Sequence, residues 1–486
     1  MTTTLRLRIA DLDEEIIRQR RILIELEAAR DALQAELHRV SAYPILELPL
    51  ELTAEIFLRC LPDSSMAAND YKALFNLVKV CKSWAHVAFA TPALWRSLRL
   101  DVFEWEGEEL VDVLSTGLRS GLLNLSISGN LTSHSHHRQL ITTVETHSSQ
   151  LSLLSFTIPP EEFPLLISKR FDLRQLRELR LVVREGDYEP LRTVDLKDVF
   201  VVSTELYRVF LDGIPLTATN LPWDQLTEFE CRVYSPNEVL DAVALLPNLI
   251  RLIITLSLES ADPERSPAEH QVTHTNLRHL SVSELAVPRH EAHMLDYFTL
   301  PNLETLVAGR IEESTLQGFL ERSKSPPLVQ LKFYDNCWDP YEAIFTSLPC
   351  LADLAIEFPS PNLINTLADL LTSDDVFLPS LDRISIEWKG IDGLDAFVEL
   401  VALAVQTRNH KAEDHGSVKR IQSLALTTTL QLPEWNTLTI PAEYLTTYRE
   451  LKNDGVHIHV GTPEFCFVNG PRSCSQTMTS QRTCFC

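Results

Sequence analysis

Histidine and cysteine are the residue types in this sequence whose spacing could hold a metal or supply a nucleophile. His134, His136 and His137 sit together in a Ser-rich stretch read as a loop, and His457 and His459 alternate along an expected strand near Cys466. A structural zinc site needs four ligands in tetrahedral reach, and neither group offers a four-ligand set at zinc spacing. Solvated histidines are the plainer reading. The nine cysteines are an odd number, and Cys60, Cys81, Cys231, Cys337 and Cys350 are scattered without paired spacing. That is the pattern of reduced thiols in cytosol or nucleus. A Walker-type glycine loop, a Rossmann glycine fingerprint, an HExxH helix and a GxSxG elbow are all absent as written phrases, and 14 glycines leave little material for phosphate-cradling loops. The expectation is a chain with no catalytic residues, no cofactor and no metal.

Composition narrows the partners. A formal net charge of −24 argues against general nucleic-acid binding, which needs a basic face to displace counterions, and equally against an anionic membrane surface. The longest stretch free of Asp, Glu, Lys and Arg, Ser120 to His137, is too polar to span a bilayer, and the N-terminus lacks an apolar signal core. With 45% hydrophobic and 23% charged residues over 486 positions, the sequence fits a globular protein of two or three domains.

The residues that carry most information are apolar. Leu48-Pro49 is followed by Glu51-Leu52 and Glu55-Ile56-Phe57, then by Val80-Cys81-Lys82-Ser83-Trp84, and Leu94-Trp95 closes the segment. Pro49 has a fixed φ and no amide donor, so it suits a helix entrance, and Leu52, Ile56 and Cys60 then recur along one face. Pro62-Asp63-Ser64-Ser65 cannot continue that helix. A second helical run is expected from Tyr71 to about Val80, with Leu74, Leu77 and Val78 together. A third from Lys82 turns Trp84, Val87 and Ala88 inward until Thr91-Pro92 ends it. Three helices this short bury little apolar surface and call for a neighbour.

The order and spacing of these residues resemble the F-box, the short helical module that plugs into the adaptor of SCF-type cullin-RING ubiquitin ligases. The resemblance implies adaptor contacts at Leu48, Pro49, Leu52, Ile56 and Phe57, and again at Val80, Cys81 and Trp84; the alternative for all eight is packing within a small helical bundle. The segment from Pro62 to Asp70 is longer than in the compact module, an extension that costs little because closure entropy rises slowly with length.

Ahead of the module, Leu5 to Val40 has neither proline nor glycine. Leu5, Ile9, Leu12, Ile16, Leu23, Leu26, Leu33, Leu37 and Val40 follow alternating steps of four and three once Gln19 and Arg30 are counted on the seam. This is a heptad pattern and predicts a coiled coil, either a homodimer or a pairing with a partner, unless the helix folds back on its own domain.

Beyond the module one phrase keeps returning: apolar, two variable residues, apolar, one variable, apolar. It runs from Trp95-Leu98-Leu100 through Leu176-Leu179-Leu181, Leu249-Leu252-Ile254 and Leu351-Leu354-Ile356 to Ile421-Leu424-Leu426. The period is that of leucine-rich repeats, and it predicts an α/β solenoid in which each short strand buries its apolar positions against the next coil. Four repeats share a lead-in of the form Leu-Pro-x-Leu, beginning at Leu246, Leu300, Leu348 and Leu378, with the proline read as starting the strand. The ladder asparagine expected after the strand is present only at Asn130 and Asn336. Variable strand positions, among them Arg208, Phe210, Asp212, Glu228, Glu230, Arg232, Lys332 and Glu387, would build a solvated face. Helical returns are expected at Glu238 to Leu246, Thr315 to Arg322 and Leu394 to Val405.

The expected organisation is a coiled-coil helix over 1–43, an F-box-like helical module over 44–95, an irregular leucine-rich-repeat solenoid over 96–460 and a flexible tail over 461–486. The closing Cys484-Phe485-Cys486 resembles a doubly prenylated ending, but no GTPase domain accompanies it, so a disordered tail is expected. F-box proteins with such repeats serve as substrate receptors, so the resemblance implies a Skp-family adaptor and a protein substrate as partners, in cytoplasm or nucleus. The alternative is a non-degradative interaction scaffold whose helices cap the solenoid.

Overall fold

The computed structural model describes residues 2–40, 48–60, 71–101, 123–128, 135–158, 166–167, 169–183, 196–197, 199–202, 205–256, 267, 270–284, 293–334, 342–373, 376–388, 394–415, 418–428, 442–462 and 468. The extended segment from Pro62 to Asp70, His134, Cys337, Cys466, Asn130, Asn336 and the terminal Cys484-Phe485-Cys486 lie outside these residues. The chain divides into two units, Met1–Leu100 with Asp112–Asn124, and Asp101–Val111 with Leu125–Cys486.

The first unit begins with one unbroken helix, α1 (Thr2–Val40, 39 residues), as a run free of proline and glycine should. Three shorter helices follow: α2 (Leu50–Cys60), α3 (Tyr71–Val80) and α4 (Lys82–Ala90), and then a 3-10 turn at Pro92–Trp95 and strand β1 (Ser97–Asp101). Pro49 sets the start of α2: its carbonyl accepts from the amides of Leu52 and Thr53, both at 3.1 Å, and from the Thr53 hydroxyl at 3.2 Å. α4 packs against both α2 and α3. The shared core is Phe57, Leu74, Val87, Ala88, Leu94 and Trp95. The Trp95 indole N–H donates to the Ala88 carbonyl at 2.8 Å, which satisfies the one polar atom of a buried ring and ties the 3-10 turn to α4.

The second unit is α/β, built on one long parallel sheet whose strands pair in chain order. They are β2 (Leu123–Ser128), β3 (Leu151–Ile158), β4 (Glu178–Val183), β5 (Arg208–Asp212), β6 (Glu228–Tyr234), β7 (Arg251–Leu256), β8 (His279–Glu284), β9 (Thr305–Arg310), β10 (Gln330–Tyr334), β11 (Asp353–Glu357), β12 (Arg383–Trp388), β13 (Ser423–Thr428) and β14 (His457–Gly461). The register carries the sequence phrase directly. Leu252 aligns with Leu280, Leu280 with Leu306, Leu306 with Leu331, Leu331 with Leu354, Leu354 with Ile384 and Ile384 with Leu424. A one-residue slip would turn every one of these to the other face, so the apolar alternation fixes the pairing.

The Leu-Pro-x-Leu lead-in has a different role from the one its proline suggested. The strands start at Arg251, Thr305, Asp353 and Arg383, four residues past each proline. The amides of Leu249, Leu303, Leu351 and Leu381 donate back to the carbonyls of Leu246, Leu300, Leu348 and Leu378 at 3.0 to 3.3 Å, so each lead-in is a turn with proline at its second position. Asparagines do bridge the repeats, but ahead of the strands. The side-chain amides of Asn248, Asn276 and Asn302 donate to the carbonyls of Asp224, Pro247 and Thr275, at 2.7, 2.9 and 2.8 Å, each in the preceding repeat.

The returning segments carry α5 (Ser135–Thr146), α6 (Pro236–Ala244), α7 (Glu313–Arg322), α8 (Glu342–Thr346), α9 (Pro361–Ser373), α10 (Leu394–His415) and α11 (Ala442–Asn453). His136 and His137 therefore lie on a helix, not in a loop. Ser235 opens α6 with a full capping box, its hydroxyl accepting from the Glu238 amide while the Glu238 carboxylate accepts from the Ser235 amide. α10 runs well past Val405. Its extension is anchored by buried polar side chains: Arg408 donates to the Phe377 and Leu378 carbonyls, both at 2.7 Å, and Asn409 exchanges hydrogen bonds with the amide and carbonyl of Ile421.

Candidate functional site

Two surfaces carry enough chemistry to be candidates, the outer face of the helical module and the variable face of the ladder. On α2 the spacing sorts side chains into two sets. Thr53 and Phe57 turn inward, while Leu52 and Ile56, one residue ahead of each, turn out, with Leu52 53% exposed. Leu48 and Pro49 continue the outward set at the helix entrance, and Val80, at the end of α3, is 58% exposed. Cys81 and Trp84 are half-buried.

Phe57 departs from the expected contact set. It is 1% exposed and its ring lies 4.9 Å from that of Trp84, tilted by 57°. It therefore joins α2 to α4 from inside. The helices are held shut by this aromatic pair and by Leu74 and Ala88, and branched apolar side chains remain outside. Sequence reasoning missed two further members of the exposed set, Leu50 and Phe89. Leu50 precedes the first turn that periodicity marks, and Phe89 adjoins the inward Val87-Ala88 pair. Phe89 is only partly free, since it stacks on Trp95 at 5.3 Å and 6°.

The ladder face is charged but largely self-neutralised. Arg208 reaches Glu178 at 3.7 Å and Glu228 at 3.5 Å, Lys332 reaches Glu357 at 2.6 Å, and Arg383 reaches Asp353 at 3.2 Å. Phe210, expected on the solvated face, is buried beneath the guanidiniums of Arg180 and Arg232, at 4.6 and 5.2 Å from its ring centre. The cations stack on the ring because its face carries the negative end of the quadrupole. Burial holds the Arg180 guanidinium below its ordinary pKa, offset in part by Glu230. Burial raises the Asp353 carboxyl, and burial with the neighbouring Glu357 raises that of Glu387. His459 bonds the Thr462 carbonyl at 2.8 Å, and no group of three metal-capable side chains occurs among the described residues. None of the helices among those residues is long and apolar enough to cross a membrane.

Among the described residues the ladder face carries its apolar side chains, such as the half-buried Ile253 and Val307, between charged pairs, whereas the module exposes Leu52 and Val80 more fully. Residues 45–101 match the F-box-like family model. The matched span takes in α2, α3, α4 and the Trp95 turn, and ends on β1. No curated protein matches the chain. The matched span contains the residues from Leu48 to Trp95.

Proposed function

We propose that the chain is a substrate-recognition subunit of an SCF-type cullin-RING ubiquitin ligase. Its F-box-like module docks on a Skp-family adaptor through Leu48, Pro49, Leu52, Ile56, Val80, Cys81 and Trp84, with Phe57 holding the surface from beneath. The parallel ladder, read as a leucine-rich-repeat solenoid, binds a protein substrate. The chain itself catalyses nothing in this reading. It raises the local concentration of substrate lysines near a charged conjugating enzyme bound elsewhere in the assembly. The unpaired Cys60, Cys81, Cys231 and Cys350 suit the reducing cytoplasm or nucleus where such an assembly would work.

The observation that carries this reading is the exposure of Leu52, Ile56 and Val80 beside a closed Phe57–Trp84 core, inside the span that matches the F-box-like model. Covering each such side chain, already about half buried, contributes about 0.8–1.5 kcal/mol before the costs of association. Co-expression with the adaptor tests it. Wild type is expected to co-purify with adaptor and a Leu48→Ala/Pro49→Ala/Ile56→Ala variant to emerge folded but alone. Wild type without adaptor would instead favour an interaction scaffold.

A further inference from the structure

The heptad seam of α1 is open along its length. Ile9, Leu12, Ile16, Leu23, Leu26, Leu33 and Leu37 are each between 47% and 71% exposed, so the described residues of this chain do not fold back over them. A helix of 39 residues spans about 58 Å, and leaving such a stripe in water forgoes most of what stabilises long helices.

The charges flanking the seam say what fits it. With Ile9 and Ile16 at first heptad positions, the flanking positions hold Arg8, Asp13, Glu15 and Arg20. When two copies lie parallel and in register, Arg8 faces Asp13 of the second copy and Glu15 faces Arg20. Further along, Ile22 meets Glu27 and Ala29 meets Gln34, so no like charges oppose each other on the flanks. An antiparallel pair that stacks Arg30 on Gln19 sets Arg20 against Glu27 but also Glu15 against Glu36, and attraction and repulsion cancel. Arg30 is the one seam charge that a parallel pair would juxtapose. Its guanidinium already lies 2.7 Å from Asp31, off the seam. The flanks of this helix complement themselves.

We propose that α1 pairs with α1 of a second copy as a parallel, in-register, two-stranded coiled coil. This does not depend on adaptor docking. It brings the C-terminal ends of two such helices, and the two modules that follow them, to the same end of the coiled coil.

Sedimentation equilibrium on the full chain tests it. Wild type is expected at about twice 55.1 kDa at micromolar concentration. Arg8→Glu/Arg20→Glu opposes like charges on both flanks, and Asp13→Arg/Glu15→Arg does the same with the other sign, so each alone should dimerise at least about tenfold more weakly. Mixing the two restores four attractive pairs and should restore the dimer. Wild type remaining at 55.1 kDa overturns the pairing. Charge variants that dimerise as wild type does, or a mixture that fails to recover, overturn the parallel register, and a Leu23→Asp/Leu26→Asp chain that stays dimeric overturns the seam.

Discussion

In the parallel ladder Leu280, Leu306, Leu354 and Ile384 are enclosed between neighbouring strands and the coil behind them, whereas in the F-box-like module Leu52, Ile56 and Val80 stand in solvent. The residue types are alike, and so is the regularity of their spacing. What differs is the supply of neighbours. A ladder strand has another repeat on each side, so its apolar positions are covered by the chain itself. The module has three short helices, and the Phe57–Trp84 pair between α2 and α4 closes one side of α2 but not the other. An apolar stripe in a sequence therefore reports burial without reporting who does the covering.

The largest expected effect comes from placing a charge at equivalent positions in the two regions. Leu354→Asp buries an unpaired carboxylate at a fully enclosed site and should unfold the ladder, a loss of about 3–5 kcal/mol or more, whereas Leu52→Asp should stay within about 0.5 kcal/mol of wild type. Chemical denaturation followed by circular dichroism separates them; equal losses would erase the contrast.

Next in size is Phe57→Ala, expected to cost the module about 3–5 kcal/mol, because its ring is inside and cannot be replaced by solvent. Amide exchange should accelerate through α2 and α4. Unchanged exchange there would mean that Phe57 belongs with the outward set after all.

Arg408→Met probes the ladder from its polar side. The guanidinium is buried, its pKa is pushed down to about 10 by desolvation, and it satisfies the Phe377 and Leu378 carbonyls, the latter on a residue with φ of 42°. A left-handed leucine persists only where its surroundings enforce it. The substitution orphans the Phe377 carbonyl and leaves the Leu378 carbonyl with only the Leu381 amide, and a loss of about 1–3 kcal/mol is expected in thermal melts. A variant as stable as wild type would show that apolar packing alone holds this turn.

The smallest effect is Glu387→Gln. Burial, with Glu357 nearby, holds this carboxyl above its ordinary 4.5, so between 4.5 and its folded value the folded state keeps a proton that the unfolded chain has released. The associated stability is present below 4.5 and lost as pH rises through the folded value. Glutamine removes that loss: the variant should melt above wild type at pH 7 and level with it below the carboxylate range. A difference independent of pH would contradict this.

Much of the ladder was legible because its phrase is simultaneously a burial pattern and a register. The second and third apolar positions of each phrase are the residues that align across strands, from Leu179 and Leu181 onward. Apolar spacing ends at Val405, short of the end of α10, for the converse reason: Arg408 and Asn409 look like solvent-facing residues, yet both are buried because backbone carbonyls and an amide meet them. Periodicity of apolar residues cannot signal a polar anchor. The Leu-Pro-x-Leu proline fits a strand's first residue as well as a turn's second, and only the backbone hydrogen bonds separate the two. In the module, spacing marks a helix after Pro49, which is α2, but groups Phe57 with the outward Ile56. Adjacent residues on a helix point about 100° apart, so a pair straddling the boundary between faces is not sorted by pattern alone.

The most direct test of the account is calorimetric titration of the purified Skp-family adaptor into the full chain, wild type against Leu52→Asp/Ile56→Asp. The predicted result is saturable binding to wild type with a negative heat-capacity change, the mark of apolar burial, and no binding to the variant despite an unaltered melting temperature. Equal affinity for both would mean that the exposed face of α2 is not where the adaptor sits.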